Sequence, residues 1–242
     1  MRLLENIYLV GSGDSGFSIS DPLDCSVYLL DGGSEYALID AGAGTEPEGI
    51  LRNLRADGLD PKKVGKILLT HAHGDHAGGA AALARACDAR VYAMTPADSF
   101  IARGDLQAIS LQSAIDAGVY PPCYRFESCP VQPLQPEQTI PVGECSLRVI
   151  PAEGHSAGHC CYCLDTPRGK VLFAGDAIQW GGKIALQAIW DCNLQSYMET
   201  VKRLAELRPE VLLPAHGAFA LRRGWHHTDL AAEALQRLQL PC

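Results

Sequence analysis

Eight short stretches carry apolar, β-branched or aromatic runs closed by Gly, Asp or Pro turns, the signature of strands. They are Cys25 to Leu30, Glu35 to Ile39, Lys66 to Leu69, Arg90 to Met94, Ser146 to Ile150, Cys160 to Leu164, Lys170 to Phe173 and Val211 to Leu213. Between them, apolar positions recur at helical spacing over about Pro47 to Ala56, His76 to Cys87, Pro96 to Arg103, Leu106 to Ala117, Leu194 to Leu207 and Thr228 to Leu238. Strands and helices interleave in both halves, which predicts a layered α/β arrangement. The Pro-rich segment Tyr120 to Pro141 is the nearest thing to a boundary, but its aromatics and cysteines suit an ordered connection. Residues 1–242 are therefore expected to form a single domain.

Composition refines this picture. Apolar residues make up 47% of the 242, enough for a sizeable core. Twenty Lys and Arg stand against 28 Asp and Glu, a formal charge of -8 without any run of like charge. That argues against nucleic acid as a partner, because such affinity comes largely from neutralising phosphates. No segment approaches the ~20 apolar residues of a membrane span. The opening MRLLENIYLVGSGDSG breaks its only apolar run with Glu5 and Asn6, unlike an export signal. The expectation is a cytoplasmic protein with no membrane partner; a homo-oligomer is left open. The 10 cysteines, scattered through such a chain, read as reduced thiols, mostly in the core.

Candidate chemistry is concentrated in THAHGDHAGG, residues 70–79, which sets His71, His73, Asp75 and His76 just after a strand. Alternate residues of extended chain face one way, and the small Ala72 and Gly74 let the backbone fold closely. Neutral imidazole and carboxylate are ligands for Zn²⁺, Fe²⁺ or Mn²⁺. Further ligand-type residues follow later strands: His155 and His159 in AEGHSAGH, Asp176 in LFAGDAI and His216 in LLPAHG. Open α/β sheets gather their functional loops at one edge, so these stretches are expected to meet. HCCYCLD, by contrast, spaces Cys161 and Cys163 too tightly for a paired zinc thiolate site and reads as a buried strand.

Together the aspartate of LIDAG, then HAHGDH, GHSAGH, GD and PAHG, in this order from about Asp40 to His216, resemble the metallo-β-lactamase superfamily. The resemblance implies a four-layer αββα sandwich with a metal site at one edge. It implies two divalent ions, zinc in the first place with iron or manganese as alternatives. His71, His73 and His155 would hold one ion, Asp75, His76 and His216 the other, and Asp176 would bridge them. Asp40 would orient the loop from behind, and His159 would hydrogen-bond nearby without ligating. The bridging aspartate is closer to the glyoxalase II, lactonase and nuclease branches than to the β-lactamases proper.

Two such ions share a water whose pKa falls toward ~7. The implied activity is hydrolysis of a small-molecule ester, thioester or lactone by a metal-bridging hydroxide, with Asp75 as the catalytic carboxylate that orients it. A mononuclear iron persulfide dioxygenase of the same fold, a phosphodiesterase, a weak β-lactamase and a non-catalytic binding protein are the alternatives. The short tail after His216 argues against the helical glutathione-binding domain of glyoxalase II. Expected pocket walls are Tyr120, within a lid-like insert at about 96–130, and Trp180, Lys183 and Trp190 beyond Asp176. His226 and His227 are expected to be a solvated pair.

Overall fold

The computed structural model describes residues 1–242. Two sheets carry the chain. The first contains β1 (Ile7–Gly11), β2 (Val27–Asp31), β3 (Tyr36–Ile39), β4 (Val64–Leu68), β5 (Arg90–Met94) and β6 (Val131–Leu134), in that spatial order. The second contains β7 (Thr139–Val142), β8 (Cys145–Pro151), β9 (Cys160–Thr166), β10 (Gly169–Gly175) and β11 (Val211–Pro214), in the order β11-β10-β9-β8-β7. On the first sheet's side lie α1 (Pro47–Ala56), α2 (Gly74–Ala77), α3 (Ala80–Cys87), α4 (Ala97–Arg103) and α5 (Leu111–Asp116); on the second's, α6 (Leu194–Leu207) and α7 (Gly224–Gln236).

The four layers follow from how each strand divides its side chains. Tyr28 and Leu30 of β2 face the second sheet, while Val27 and Leu29 pack under the helices of the first layer. In β9, Cys160, Tyr162 and Leu164 point between the sheets and Cys161 and Cys163 point outward beneath α6 and α7. Strands buried on both faces read as unbroken apolar runs, which explains why the cysteine-rich segment is a strand. Half of the ten cysteines are buried, none is in a disulfide, and Cys123 and Cys242 are exposed, so the expectation of a mostly buried set is met only in part.

Three strands were not legible in the apolar pattern. β6 and β7 are edge strands interrupted by Pro133 and Pro141, residues that only an edge position tolerates. The pattern also omitted β1, which pairs antiparallel with β2. The helix expected over His76 to Cys87 breaks at Gly78 and Gly79 into α2 and α3. The one expected over Leu106 to Ala117 starts late, because Ser110 adopts the left-handed conformation, and α7 begins four residues earlier than Thr228. The segment from Pro96 to Pro130 is not loose: Ile101, Ile109, Leu111, Tyr120 and Tyr124 all join the core. No helix is long and apolar enough to cross a membrane.

Two buried tyrosines tie the sheets together. Tyr162 of β9 donates to the Leu69 carbonyl beyond β4 (2.7 Å), and Tyr28 of β2 donates to the Pro214 carbonyl closing β11 (2.6 Å). Removing either hydroxyl leaves a buried carbonyl without its partner, so Tyr162→Phe and Tyr28→Phe should each lower unfolding free energy by about 1–2 kcal/mol in urea titrations. Unchanged stability in both would show that these bonds contribute nothing net.

Candidate metal centre

The loops that leave β3, β4, β8, β10 and β11 meet at one edge of the sandwich. They bring Asp40, the 71–76 loop, His155, Asp176 and His216 together, as the spacing predicts. His155 Nε2 lies 3.1 Å from His73 Nδ1 and 3.4 Å from Asp176 Oδ2. On the other side, Asp75 Oδ2 is 3.4 Å from His76 Nε2 and 3.2 Å from His216 Nε2. Asp176 Oδ1 completes that group at 3.5 Å from His76 Nε2 and 3.4 Å from His216 Nε2. Asp176 thus turns one oxygen to each half of the cluster.

The donor set fits divalent metal. Corners of a tetrahedron about 2.0–2.1 Å from a common ion stand about 3.3–3.4 Å apart, the separation these atoms show. The buried Nε2 atoms of His71 and His76 and Oδ1 of Asp176 have no hydrogen-bond partner, a costly state for a folded protein unless an ion completes it. Cys25, Asp40 and His76 also lie close together, but Asp40 and His76 Nδ1 are spent on each other. Burial drives the Cys25 thiol well above its ordinary pKa, so it offers no thiolate.

Behind the donors, a fixed frame aims each ring. Asp40 accepts from the Thr70 amide (2.7 Å), the Thr70 hydroxyl and His76 Nδ1 (2.9 Å), which leaves His76 Nε2 facing inward. It does so from a left-handed backbone, φ 64°, a strained conformation held because its carboxylate is over-determined. His155 Nδ1 donates to the Ala185 carbonyl (2.9 Å), and Ser15 Oγ lies 2.8 Å from His216 Nδ1. His159 takes the expected supporting role: its Nε2 accepts from the Asp176 amide (3.1 Å). Gly175 must lack a side chain, since a Cβ there would come within 2.8 Å of His159 and Thr70, and its φ of 51° is left-handed. Tyr197 of α6 donates to the Asp176 carbonyl (2.6 Å).

Charge is divided unevenly. Burial, with neighbouring imidazoles, drives His71 well below the ordinary histidine pKa and His73 down to about 3, so both are neutral and ready to ligate. Burial also opposes protonation of His76, but Asp75, Asp40 and Asp176 outweigh it and push the pKa up to about 9. His216 is likewise raised by Asp176 and Asp75 against its own burial. Asp75 and Asp176 overcome their burial through the same histidines and stay ionised.

Some expectations need correction. Tyr120 is not a pocket wall: only 6% exposed, it lies under the metal loop, with its hydroxyl accepting from the Asp75 amide (2.9 Å) and donating to Asp75 Oδ1 (3.0 Å). Trp180 is half exposed and packs at a tilt against His227, ring centroids 4.2 Å apart, and Lys183 is exposed; it is Ala185, further along, that touches the histidine cluster. His226 and His227 are not a solvated pair, because His227 is buried and accepts from the Gly181 amide. Ser15, Thr70, Ala185 and Tyr197 carried no signal in sequence, since their contribution is a hydroxyl or carbonyl placed by the fold.

A two-sheet αββα sandwich with a histidine-rich centre at one edge defines a class of metal-binding proteins. The family model for the metallo-beta-lactamase superfamily matches residues 20–216, and the chain belongs to that superfamily, whose members are mostly hydrolytic enzymes. It is 33% identical over 212 residues to protein YobT of Bacillus subtilis (strain 168), covering 82% of this chain and 84% of that one. It is 28% identical over 196 residues to an atrochrysone carboxyl ACP thioesterase of Passalora fulva, covering 80% of this chain but only 48% of the relative. A metallo-beta-lactamase family protein of Thermus thermophilus shares the fold at TM-score 0.73 and 27% identity, covering 98% of this chain and 82% of that one.

A protonated imidazole cannot ligate, so metal bound through His76 and His216 would have to expel the protons that the aspartates hold on them. Calorimetric titration of metal into stripped protein at pH 7.5, in buffers of different ionisation enthalpy, should show at least two protons released per chain, one from each histidine beyond any lost by metal-bound water. The sign for stability follows: the raised His76 pKa stabilises metal-free protein below its unfolded value of about 6.5, and that contribution is lost as pH rises through about 9. Zero proton release would contradict this charge distribution.

Proposed function

We propose that the chain is a dinuclear, zinc-dependent hydrolase of a small ester, thioester or lactone. The observation that carries this is the set of buried, unpartnered donor atoms, His71 Nε2, His76 Nε2 and Asp176 Oδ1, within a cluster whose separations suit two ions sharing Asp176. His71, His73 and His155 would hold one ion and Asp75, His76 and His216 the other. When bound, the ions supply Lewis acidity, polarising a substrate carbonyl and acidifying water. The likeness to the thioesterase of Passalora fulva supports an acyl substrate, though the chain spans about half that protein's length.

The residues divide the remaining work by exposure. The His71, His76 and His155 rings are sealed and Asp176 is nearly so, whereas His73 is partly exposed and Asp75 and His216 are 21% and 20% open. Substrate therefore approaches where His73, Asp75 and His216 are open, and Asp75, more exposed than Asp176, is the carboxylate within reach of a leaving group. Proton transfer at that group falls to Asp75, with no serine or cysteine nucleophile required. Cys160, Cys161 and Cys163 are sealed in β9 and take no part.

Metal quantification should find about two equivalents per chain, and a panel of thioesters, lactones, aryl esters, phosphodiesters and β-lactams should show turnover confined to the thioesters, lactones or aryl esters. His73→Ala and Asp176→Ala should abolish it. One bound iron with oxygen consumption on a persulfide, or full hydrolysis by metal-stripped protein, would overturn the proposal.

A further inference from the structure

Of the two carboxylates that face the histidine Nε2 atoms, Asp75 and Asp176, Asp75 is the one with an oxygen bonded to a side chain outside the cluster. Its Oδ2 faces His76 and His216, while its Oδ1 accepts from the Tyr120 hydroxyl at 3.0 Å. The same hydroxyl accepts from the Asp75 amide at 2.9 Å, so one phenol oxygen joins both the backbone and the side chain of this residue. Rotation of the carboxylate would break that ring of bonds.

The phenol is held independently of Asp75. Tyr120 and Tyr124 pack with ring centroids 4.6 Å apart, and Tyr124 donates to the carbonyls of Ala43 (2.7 Å) and Gly74 (3.1 Å). Val119 and Pro121 to Cys123 are exposed, so from this surface stretch only the two tyrosines reach inward. The metal loop is shaped to receive them: a Cβ on Gly74 would stand 3.1 Å from the Tyr120 hydroxyl and 3.3 Å from that of Tyr124. The glycine between His73 and Asp75 therefore answers to tyrosines some 45 residues away in sequence.

We propose that Tyr120 is a positioning residue that fixes Asp75 with Oδ2 toward His76 and His216, and thereby sets the affinity of the second metal position without touching substrate. The inference rests on the two-ion reading given above. It assigns to the segment after α5 a part in metal retention rather than in covering the cleft.

The test is zinc titration of chelator-stripped wild-type, Tyr120→Phe and Tyr124→Phe proteins against a competing zinc dye, with thermal denaturation of each metal-free form alongside. Tyr120→Phe keeps the ring and its packing but loses both bonds to Asp75. Its second equivalent should bind about 10- to 100-fold more weakly, the usual effect of losing a ligand's hydrogen-bond partner, with the first equivalent unchanged. Tyr124→Phe, which leaves the Asp75 bonds in place, should bind both equivalents as wild type does, whatever its melting temperature. Wild-type affinity for both ions in Tyr120→Phe would overturn the inference and leave the two-ion reading intact. Equal weakening in both variants would also overturn it, since loss of any tyrosine hydroxyl under the loop, and not of the bonds to Asp75, would then be the cause. A wild-type protein that takes a single equivalent would instead overturn the reading on which the inference rests.

Discussion

Everything at the histidine-rich edge depends on forcing ionisable groups together where water has little access. Imidazoles and carboxylates 3.1 to 3.5 Å apart, several of them sealed, form an arrangement that a protein without metal can hold only by sharing protons between them. Strong opposite shifts on His76 and Asp75 are the electrostatic record of that crowding. The sandwich must therefore be rigid enough to resist the repulsion among its own donors. Five loops from two sheets supply them, so the resistance has to come from contacts between the sheets as well as within each loop.

Buried tyrosines perform much of that bracing. Tyr162, Tyr28 and Tyr197 each donate to a backbone carbonyl at or just before a donor residue: Leu69 ahead of His71, Pro214 ahead of His216, and Asp176 itself. Each bond joins elements remote in sequence, and each bonded carbonyl is a point where strand gives way to loop. A tyrosine suits the task because its ring fills core volume while its hydroxyl satisfies a polar group that the turning chain has left unpaired. The pattern distributes one mechanical role over several otherwise unrelated positions.

The sequence made the donors legible and their supports largely illegible. Histidines and aspartates placed after apolar strands announce themselves, because ligands must be of particular chemical types and strands must be apolar. The frame does not, because Thr70, Ser15 and the Ala185 carbonyl use groups that occur everywhere in a chain. Tyr120 was visible as an aromatic near the site, but an aromatic pattern cannot tell a wall from a buried support. The fold divides similarly: central strands with β-branched runs were clear, and the proline-bearing edges β6 and β7 were not. Glycine breaks such as that at Gly78 and Gly79 shift helix ends without altering which faces pack.

Those two edges have a further consequence. β6 closes one sheet and β7 the other, and the chain passes directly from one to the next. A terminal strand ordinarily offers a free row of donors and acceptors on which a neighbouring chain can build. Pro133 and Pro141 each delete a donor from the middle of so short a strand. The flank where the chain crosses between sheets thus presents an interrupted ladder, a poorer template for strand addition than an unbroken edge.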